Sequence, residues 1–469
     1  MKKRETGNSS KGLSRRDFIG SAAATAAAFT VVPRSVLGGP NYTAPSDKLN
    51  IACVGVGGKG YSDSKAMSSE NVVALCDVDE KRASQQHGTE KETIFDIYPK
   101  AKFYNDFRVM LDKESKNIDA VTVSTPDHTH AVIAMTAMEH GKHVFVQKPM
   151  THTVYEARVL REAAKKYGVI TQMGNQGHAG EGGRRVCEWI WDGAIGDVKE
   201  VHCWTNRPIW PQGIEAPTET PSTPPTLNWN VWVGPAAWRP YHPAYVPFAW
   251  RGFWDFGTGA LGDMGAHIID HAYWPLKLTY PKSVQASSSE FTQDSPPIAS
   301  IVTYEFPERE GMPEVKMTWY DGGLKPPRPK AIEQGRMMGD HGGGVLFEGT
   351  KGLLMCSVYG RNPRIVPETK MKEYMSDLKE RGGIENKIPS SPGIHEEWLQ
   401  AIKEGKKEMA STNFDYSGPL TETMMLGNVA IRMANANMKL EYDGMTGKIT
   451  NNEEANKFLH MEYRKGWAL

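Results

Sequence analysis

The chain has 469 residues, with 55 Lys+Arg against 55 Asp+Glu and 39% hydrophobic side chains, enough for two or three domains with real cores. Residues 1–39 hold seven of the basic and two of the acidic groups. The remainder carries 48 against 53, a charge of −5, which excludes the electrostatic footprint of a protein that binds nucleic acid or an anionic membrane. Cys53, Cys76, Cys187, Cys203 and Cys356 are an odd number at scattered positions with no metal-ligand spacing, so buried thiols are expected, with neither a disulfide framework nor a metal site.

In chain order, Ser14-Arg15-Arg16-Asp17-Phe18-Ile19 precedes an alanine-rich, mildly apolar stretch from Gly20 to Val32. A twin arginine before a weak hydrophobic region reads as a twin-arginine (Tat) export signal over residues 1–39, too short to anchor in a bilayer. A periplasmic protein exported through the Tat translocon is the expectation. A polar linker, 40–47, follows.

The run Leu49 to Val54 then leads into Gly55-Val56-Gly57-Gly58-Lys59-Gly60. This is a glycine loop opening a strand–turn–helix. Gly55 permits the tight turn, Gly57 and Gly58 expose backbone N–H groups to a pyrophosphate, and Gly60 lets the helix approach its strand. Asp77 closes the next apolar run about 20 residues on, where a carboxylate accepts from the adenosine ribose hydroxyls and repels a 2′-phosphate. NAD is therefore expected over NADP.

Strands are expected at 49–54, 72–76, 118–124, 142–146 and 169–173, alternating with helices at 59–69, 80–97, 106–114, 128–140 and 153–167. That pattern predicts a doubly wound parallel sheet over 48–173. A helix over 184–192 leads into the turn 193–196. Beyond it, strands at 198–206, 283–291, 298–306, 313–320, 345–348 and 353–357 predict a mostly antiparallel second sheet, with helices at 395–404 and 418–438. Residues 208–252, rich in Pro and Trp, read as a long insertion. Its aromatic rings are mainly a local core, with Arg207, Trp210 and Arg251 as candidate substrate contacts.

Three further groups carry chemistry. Thr125-Pro126-Asp127-His128-Thr129-His130 follows a buried strand at the carboxyl edge of the sheet, where Thr125, Pro126 and His130 can face a cofactor and the histidines can cap the next helix. Lys148, in Gln147-Lys148-Pro149, leaves the following strand at the same edge. An ammonium there can stabilise an alkoxide. Asp263 and His267 lie at i, i+4 on a Gly-rich helix, so a carboxylate can orient an imidazole as general base, with His271 a more distant candidate.

The loop Gly55–Gly60, Thr125-Pro126 with His130, Lys148-Pro149, Gly193-Ala194-Ile195-Gly196, Asp263 with His267, and Gly349-Thr350-Lys351-Gly352 occur in this order. In that order they resemble the Gfo/Idh/MocA oxidoreductases over roughly residues 48–440. The resemblance implies an α/β protein with a Rossmann domain (48–173), a C-terminal α/β domain with an open antiparallel sheet (174–440) that often mediates dimers or tetramers, and a tail (441–469). It implies NAD(P)-linked oxidation of a sugar or polyol carbinol. Lys148 would then lie beside cofactor and substrate, Asp263 would hold the substrate hydroxyl and the histidine, and His267 would take the proton. The chain departs from the family at Gln147, where a glutamate usually stands; losing that negative neighbour alone would make Lys148 slightly easier to deprotonate. Two other readings stay open: redox-neutral glycoside cleavage through a 3-keto intermediate, and a non-catalytic sugar-binding protein.

Overall fold

The computed structural model describes residues 47–469; the twin-arginine segment, and the linker up to residue 46, lie outside them. Six short strands form the first sheet: β1 (Asn50–Val54), β2 (Asn71–Cys76), β3 (Lys102–Tyr104), β4 (Ala120–Val123), β5 (His143–Gln147) and β6 (Thr171–Gly174). All pair in parallel in the order β3-β2-β1-β4-β5-β6. This is the doubly wound dinucleotide-binding order, with its crevice at the β1/β4 switch point. The central strands β1 and β4 are buried along nearly their whole length, as parallel strands covered by helices must be.

Helix α1 (Lys59–Ala66) follows the glycine loop, α2 (Asp127–Glu139) follows β4, and α3 (Val154–Tyr167) follows β5. α3 starts with a capping box from Thr153 and Glu156 and stops at Gly168 in the left-handed region. α4 (Glu181–Trp191) then leads into a nine-stranded sheet, ordered β13-β12-β11-β7-β10-β9-β8-β14-β15. Its strands are β7 (Val198–Thr205), β8 (Ser283–Ser288), β9 (Ser300–Phe306), β10 (Val315–Tyr320), β11 (Gly343–Gly349), β12 (Leu353–Ser357), β13 (Arg364–Val366), β14 (Leu440–Asp443) and β15 (Lys448–Ile449). Only β7 and β10 pair in parallel. Against this sheet pack α5 (Gly259–Ile268) and α7 (Phe414–Arg432), and α7 also lies along α3 of the first domain.

Several expectations need correction. The helix expected over 80–97 is two single turns, Glu80–Ala83 and Ile94–Ile97, the second with its own capping box from Thr93 and Asp96, and Gly88 takes a left-handed conformation in the segment between. Residues 441–469 are not a separate tail. β14 and β15 extend the sheet, the Tyr463 hydroxyl donates to Glu156 on α3, and the Arg464 guanidinium binds carbonyls of Asn230 and Gly234.

The first domain is likewise not closed at residue 173. The outer edge of β6 is covered by a much later segment: Met173 N–H donates to the Thr412 carbonyl (2.9 Å), Thr412 N–H to the Gln172 side chain (3.0 Å) and Phe414 N–H to Thr171 Oγ1 (3.1 Å). α6 (Ile394–Glu404) packs on the same strand. An edge that would otherwise offer unpaired backbone groups is thereby closed.

All five cysteines are buried and free. The insertion forms its own core from Trp229, Trp232, Tyr245, Trp250, Phe253 and Phe256. His128 joins that core to α2, its ring nitrogens meeting the carbonyl oxygens of Phe256 (3.1 Å) and Trp232 (2.8 Å). Among the described residues no helix is long and apolar enough to cross a membrane.

Burial pushes the His128 pKa down to about 3 against an ordinary 6.5. Its folded value lies below its unfolded one, so its contribution is complete above pH 6.5 and lost as pH falls toward 3. The stability difference between wild type and His128→Asn, from urea midpoints, is expected to shrink between pH 6.5 and 4.5 by up to about 1.4 kcal/mol per pH unit. A pH-independent difference would contradict this.

Candidate active site

The glycine loop is built by close approach. Gly55 has φ +75°, and a Cβ there would lie 2.7 Å from the Ser124 carbonyl oxygen; a Cβ on Gly60 would lie 1.7 Å from the carbonyl oxygen of Gly55. Both positions therefore exclude any other residue, and α1 starts directly against β1. Asp77 Oδ2 accepts from the loop N–H groups of Val56 (2.9 Å) and Gly57 (3.1 Å), and Oδ1 from Asp79 N–H (3.0 Å). Burial raises the Asp77 pKa, and those three N–H groups oppose it. The carboxylate thus braces the loop and lines the crevice.

Arg82, which the sequence did not single out, packs across the loop: a Cβ on Gly57 would lie 2.9 Å from its Cγ. Its signal was only its position on the turn after Asp77. Thr125 and Pro126 line the same crevice with Gly55, Gly57, Gly58, Asp77 and Lys148. Leu227, Val231 and Trp232 of the insertion close its outer side, fixed there by the Asn228 N–H to the Val78 carbonyl (2.7 Å). Gly60 lies behind the loop as packing.

His130 takes a different place from the one expected. It is buried, with its ring nitrogens at the carbonyl oxygens of Thr125 (2.9 Å) and Pro149 (2.8 Å). It ties the β4–α2 turn to the chain leaving β5 and does not line the crevice.

Lys148 emerges from β5 beside the loop. Its ammonium donates to the Asp263 carbonyl (2.7 Å) and to Asp263 Oδ1 (3.0 Å), and the same Oδ1 accepts from Arg251 Nε (3.2 Å). Burial alone would raise the Asp263 pKa, but the two cations overcome it and hold it at about 2. Arg251, in the 3₁₀ turn Ala249–Gly252 of the insertion, stacks on Phe248 and Trp250 and lines the crevice with them. Of the other candidate contacts, Trp210 is buried, donating to Gln212 (2.9 Å), and Arg207 donates to its neighbour Asn206; neither lines the crevice.

Gln147 lines the crevice beside Lys148, and its Oε1 accepts from the Lys148 backbone N–H (3.3 Å). Its Nε2 donates to Asp63 Oδ2 (2.8 Å), a buried carboxylate on α1 that also accepts from Ser124 (2.8 Å) and Lys59 (2.6 Å) and meets His395 (3.1 Å). The negative charge absent at position 147 stands at 63, and the anionic neighbour of Lys148 is Asp263.

His267 shares α5 with Asp263, yet no hydrogen bond joins them; Lys148 and Arg251 both bind Asp263 Oδ1. Instead His267 Nδ1 meets Asn175 Oδ1 (3.3 Å), and its ring packs edge-on against Tyr359 (4.7 Å). Burial, then the charge of Lys148, hold its pKa well below 6.5, so the imidazole is neutral. His271 is sealed among Gly177, Gly183 and Gly360. Asp270 binds His178 (3.1 Å) and the Tyr416 hydroxyl (2.6 Å). Asp127, at the start of α2 in the crevice, is raised by burial to about 6 despite the Thr258 hydroxyl that donates to it. No group of three or more metal-ligating side chains occurs among the described residues.

The comparisons with known proteins bear on this arrangement. Residues 49–175 match the Gfo/Idh/MocA model described as an oxidoreductase family with an NAD-binding Rossmann fold, and residues 198–309 match the C-terminal α/β domain model of that oxidoreductase family. Together they cover about half of the chain. The chain belongs to the Gfo/Idh/MocA family.

Among curated relatives, levoglucosan dehydrogenase of Pseudarthrobacter phenanthrenivorans is 27% identical over 168 residues, 36% of this chain and 35% of that protein. The scyllo-inositol 2-dehydrogenase (NADP(+)) IolW of Bacillus subtilis is 25% identical over 241 residues, 51% of this chain and 55% of the relative. The chain spans about half the length, or less, of these relatives. Two solved structures share the fold. The WlbA dehydrogenase of Bordetella pertussis, in complex with NADH and UDP-GlcNAcA, has TM-score 0.56 and 16% identity, covering 84% of this chain and 99% of that one. An inositol dehydrogenase homologue of Azotobacter vinelandii, with NADH and myo-inositol, has TM-score 0.51 and 19% identity, covering 84% and 98%.

The crevice fits the cofactor of this family on its own geometry: a loop where side chains are sterically barred at Gly55 and Gly60, with Asp77 and Lys148 lining the same crevice. Asp77→Ala is expected to narrow the preference for NAD over NADP by about tenfold or more, read as the ratio of dissociation constants by fluorescence titration, since an unpaired repulsion of this kind is worth at least about 1.4 kcal/mol. An unchanged ratio would assign the discrimination elsewhere.

Proposed function

We propose that this protein oxidises a CH–OH carbon of a sugar, polyol or glycoside. The observation that carries this is the Lys148–Asp263–Arg251 cluster in the crevice that begins at the glycine loop, with neutral His267 one helical turn beyond Asp263. Lys148, clamped by the Asp263 carboxylate and carbonyl, donates to the substrate oxygen and stabilises negative charge as it develops. Asp263 remains ionised throughout the neutral range and fixes the ammonium in place. His267 accepts the hydroxyl proton, for which a neutral imidazole is the required form. A nicotinamide cofactor held in this crevice would supply the hydride acceptor. Phe248, 46% exposed and lining the crevice, offers an aromatic ring to the C–H surface of a sugar.

The twin arginine supports a periplasmic destination after folding in the cytoplasm. A compartment without a pool of free nucleotide favours a resident cofactor, and the insertion covering the crevice supports slow exchange. The purified protein is expected to carry NAD detectable by mass spectrometry after denaturation, and to form one equivalent of bound NADH when given a suitable polyol. Lys148→Met and His267→Ala should each lower turnover by about 100-fold or more while the bound nucleotide persists. Near-normal rates in either variant contradict the assignment. Release of an aglycone from aryl glycosides without net NADH would establish redox-neutral cleavage instead.

A further inference from the structure

Resting on that reading, one question remains about the base: which nitrogen of His267 receives the proton. Asp263 does not decide it, since its Oδ1 takes Lys148 and Arg251 and no hydrogen bond joins it to the ring. The one hydrogen bond to the ring among the described residues is the contact of Nδ1 with Asn175 Oδ1 at 3.3 Å. Nε2 has no protein partner, and it is not among the sealed, unpartnered atoms. It is the nitrogen left without a protein partner, on the helix whose Asp263 lines the crevice.

Asn175 is built as a rigid support. It follows β6 in a tight turn, its N–H donating to the Met173 carbonyl (2.7 Å) and its own carbonyl accepting from the His178 N–H (3.1 Å). The side chain is fully buried, and its Nδ2 is left without a partner. A buried amide N–H₂ that binds nothing is costly, which calls for a reason to hold the carbonyl oxygen toward the histidine. On the other side of the ring, Tyr359 is held at φ +64°, a strained conformation for a tyrosine, with its own ring edge-on to the imidazole. Asn175 and Tyr359 both contact the ring and restrict how it can turn.

We propose that Asn175 is a positioning residue that keeps His267 in the Nδ1–H tautomer, so that the lone pair of Nε2 takes the substrate hydroxyl proton. The balance is simple. The O–H bond breaks and Nε2–H forms, the C–H electron pair leaves as hydride to the nicotinamide, and a carbonyl remains on the substrate. The resulting imidazolium still donates Nδ1–H to Asn175 and later loses the new proton to solvent. With the amide reversed, Nδ2 would face Nδ1, the proton would lie on Nε2, and the ring could not act as base toward the crevice.

The neutrality of Asn175 also matters. The charged and titratable groups acting on His267 are Lys148 and His271, which disfavour its protonation, and Asp263 and Asp270, which favour it. A third carboxylate at 175 would shift this balance; an amide fixes the tautomer without adding charge.

The test reads the tautomer directly, by nitrogen-15 NMR of the full protein labelled in histidine, with the His267 signals assigned by their loss in His267→Gln. Wild type is expected to show a protonated Nδ1 and an unprotonated Nε2. Asn175→Leu should lose that preference and drop kcat by about 10-fold or more with nucleotide binding unchanged. Asn175→Asp should keep the tautomer and move the acidic limb of the pH–rate profile to higher pH, which a merely structural role would not do. An Nε2–H tautomer in wild type, or an unchanged tautomer and rate in Asn175→Leu, overturns the proposal. If Asn175→Leu does not fold, an Asn175→Asp enzyme with an unshifted profile overturns it equally. The tautomer is read without substrate, so an Nδ1-protonated protein inert toward every polyol supports the role of Asn175 and counts against the oxidation.

Discussion

Three separate stretches of chain meet at one carboxylate oxygen. Lys148 arrives from the end of a parallel strand, Arg251 from the insertion, and Asp263 from a helix packed on the second sheet. Two cations on a mostly buried anion leave a local surplus of positive charge and of N–H donors at the end of the crevice. Taking these charges out of water is expensive, and their mutual attraction offsets that cost only while all partners are present. Removing one partner of such a cluster typically costs about 3–5 kcal/mol. The carboxylate therefore organises the molecule as well as the chemistry: it fixes the insertion over the crevice and the helix that carries His267 behind it.

A second buried carboxylate organises the opposite side. Asp63 draws the first helix, the β4 turn, Gln147 and His395 of a much later helix onto one group. Burial opposes its ionisation, but His395 and Lys59 prevail and hold its pKa below the usual value. The glycine loop is consequently held from behind by charge and in front by the Asp77 carboxylate. His128 and His130 act alongside as neutral struts between backbone carbonyls, a use of histidine that sequence cannot distinguish from acid–base work.

Where residues act through local backbone requirements, the sequence was readable. The glycine loop, Asp77 at the end of β2 and Lys148 at the end of β5 follow from strand–turn–helix grammar, and all line the crevice. The strands of the two sheets were likewise legible wherever they were long and apolar. β3, β13, β14 and β15 were not, being two to four residues long and edge strands, or near one, whose pairing is set by tertiary neighbours. The Asp263–His267 pair illustrates a different limit. Spacing on a helix places two residues on one face, yet their partners are chosen by everything else that arrives there. The carboxylate pairs with two cations, and the imidazole's partner is an asparagine 92 positions earlier in the chain. Such long-range choices leave no periodic trace.

The closure of β6 by Thr412 and Phe414 has a consequence in time. Strands β1 to β6 are complete when residue 174 leaves the ribosome, but the outermost one then has nothing along its free side, and α3 lacks the helix that covers it. More than 200 further residues must be made before those partners exist. Synthesis generally lets an N-terminal domain settle first; here the nucleotide-binding half waits for the C-terminal one. Assembly of the crevice is thus tied to completion of the whole polypeptide, and a prematurely ended chain would expose an adhesive strand edge rather than a working half.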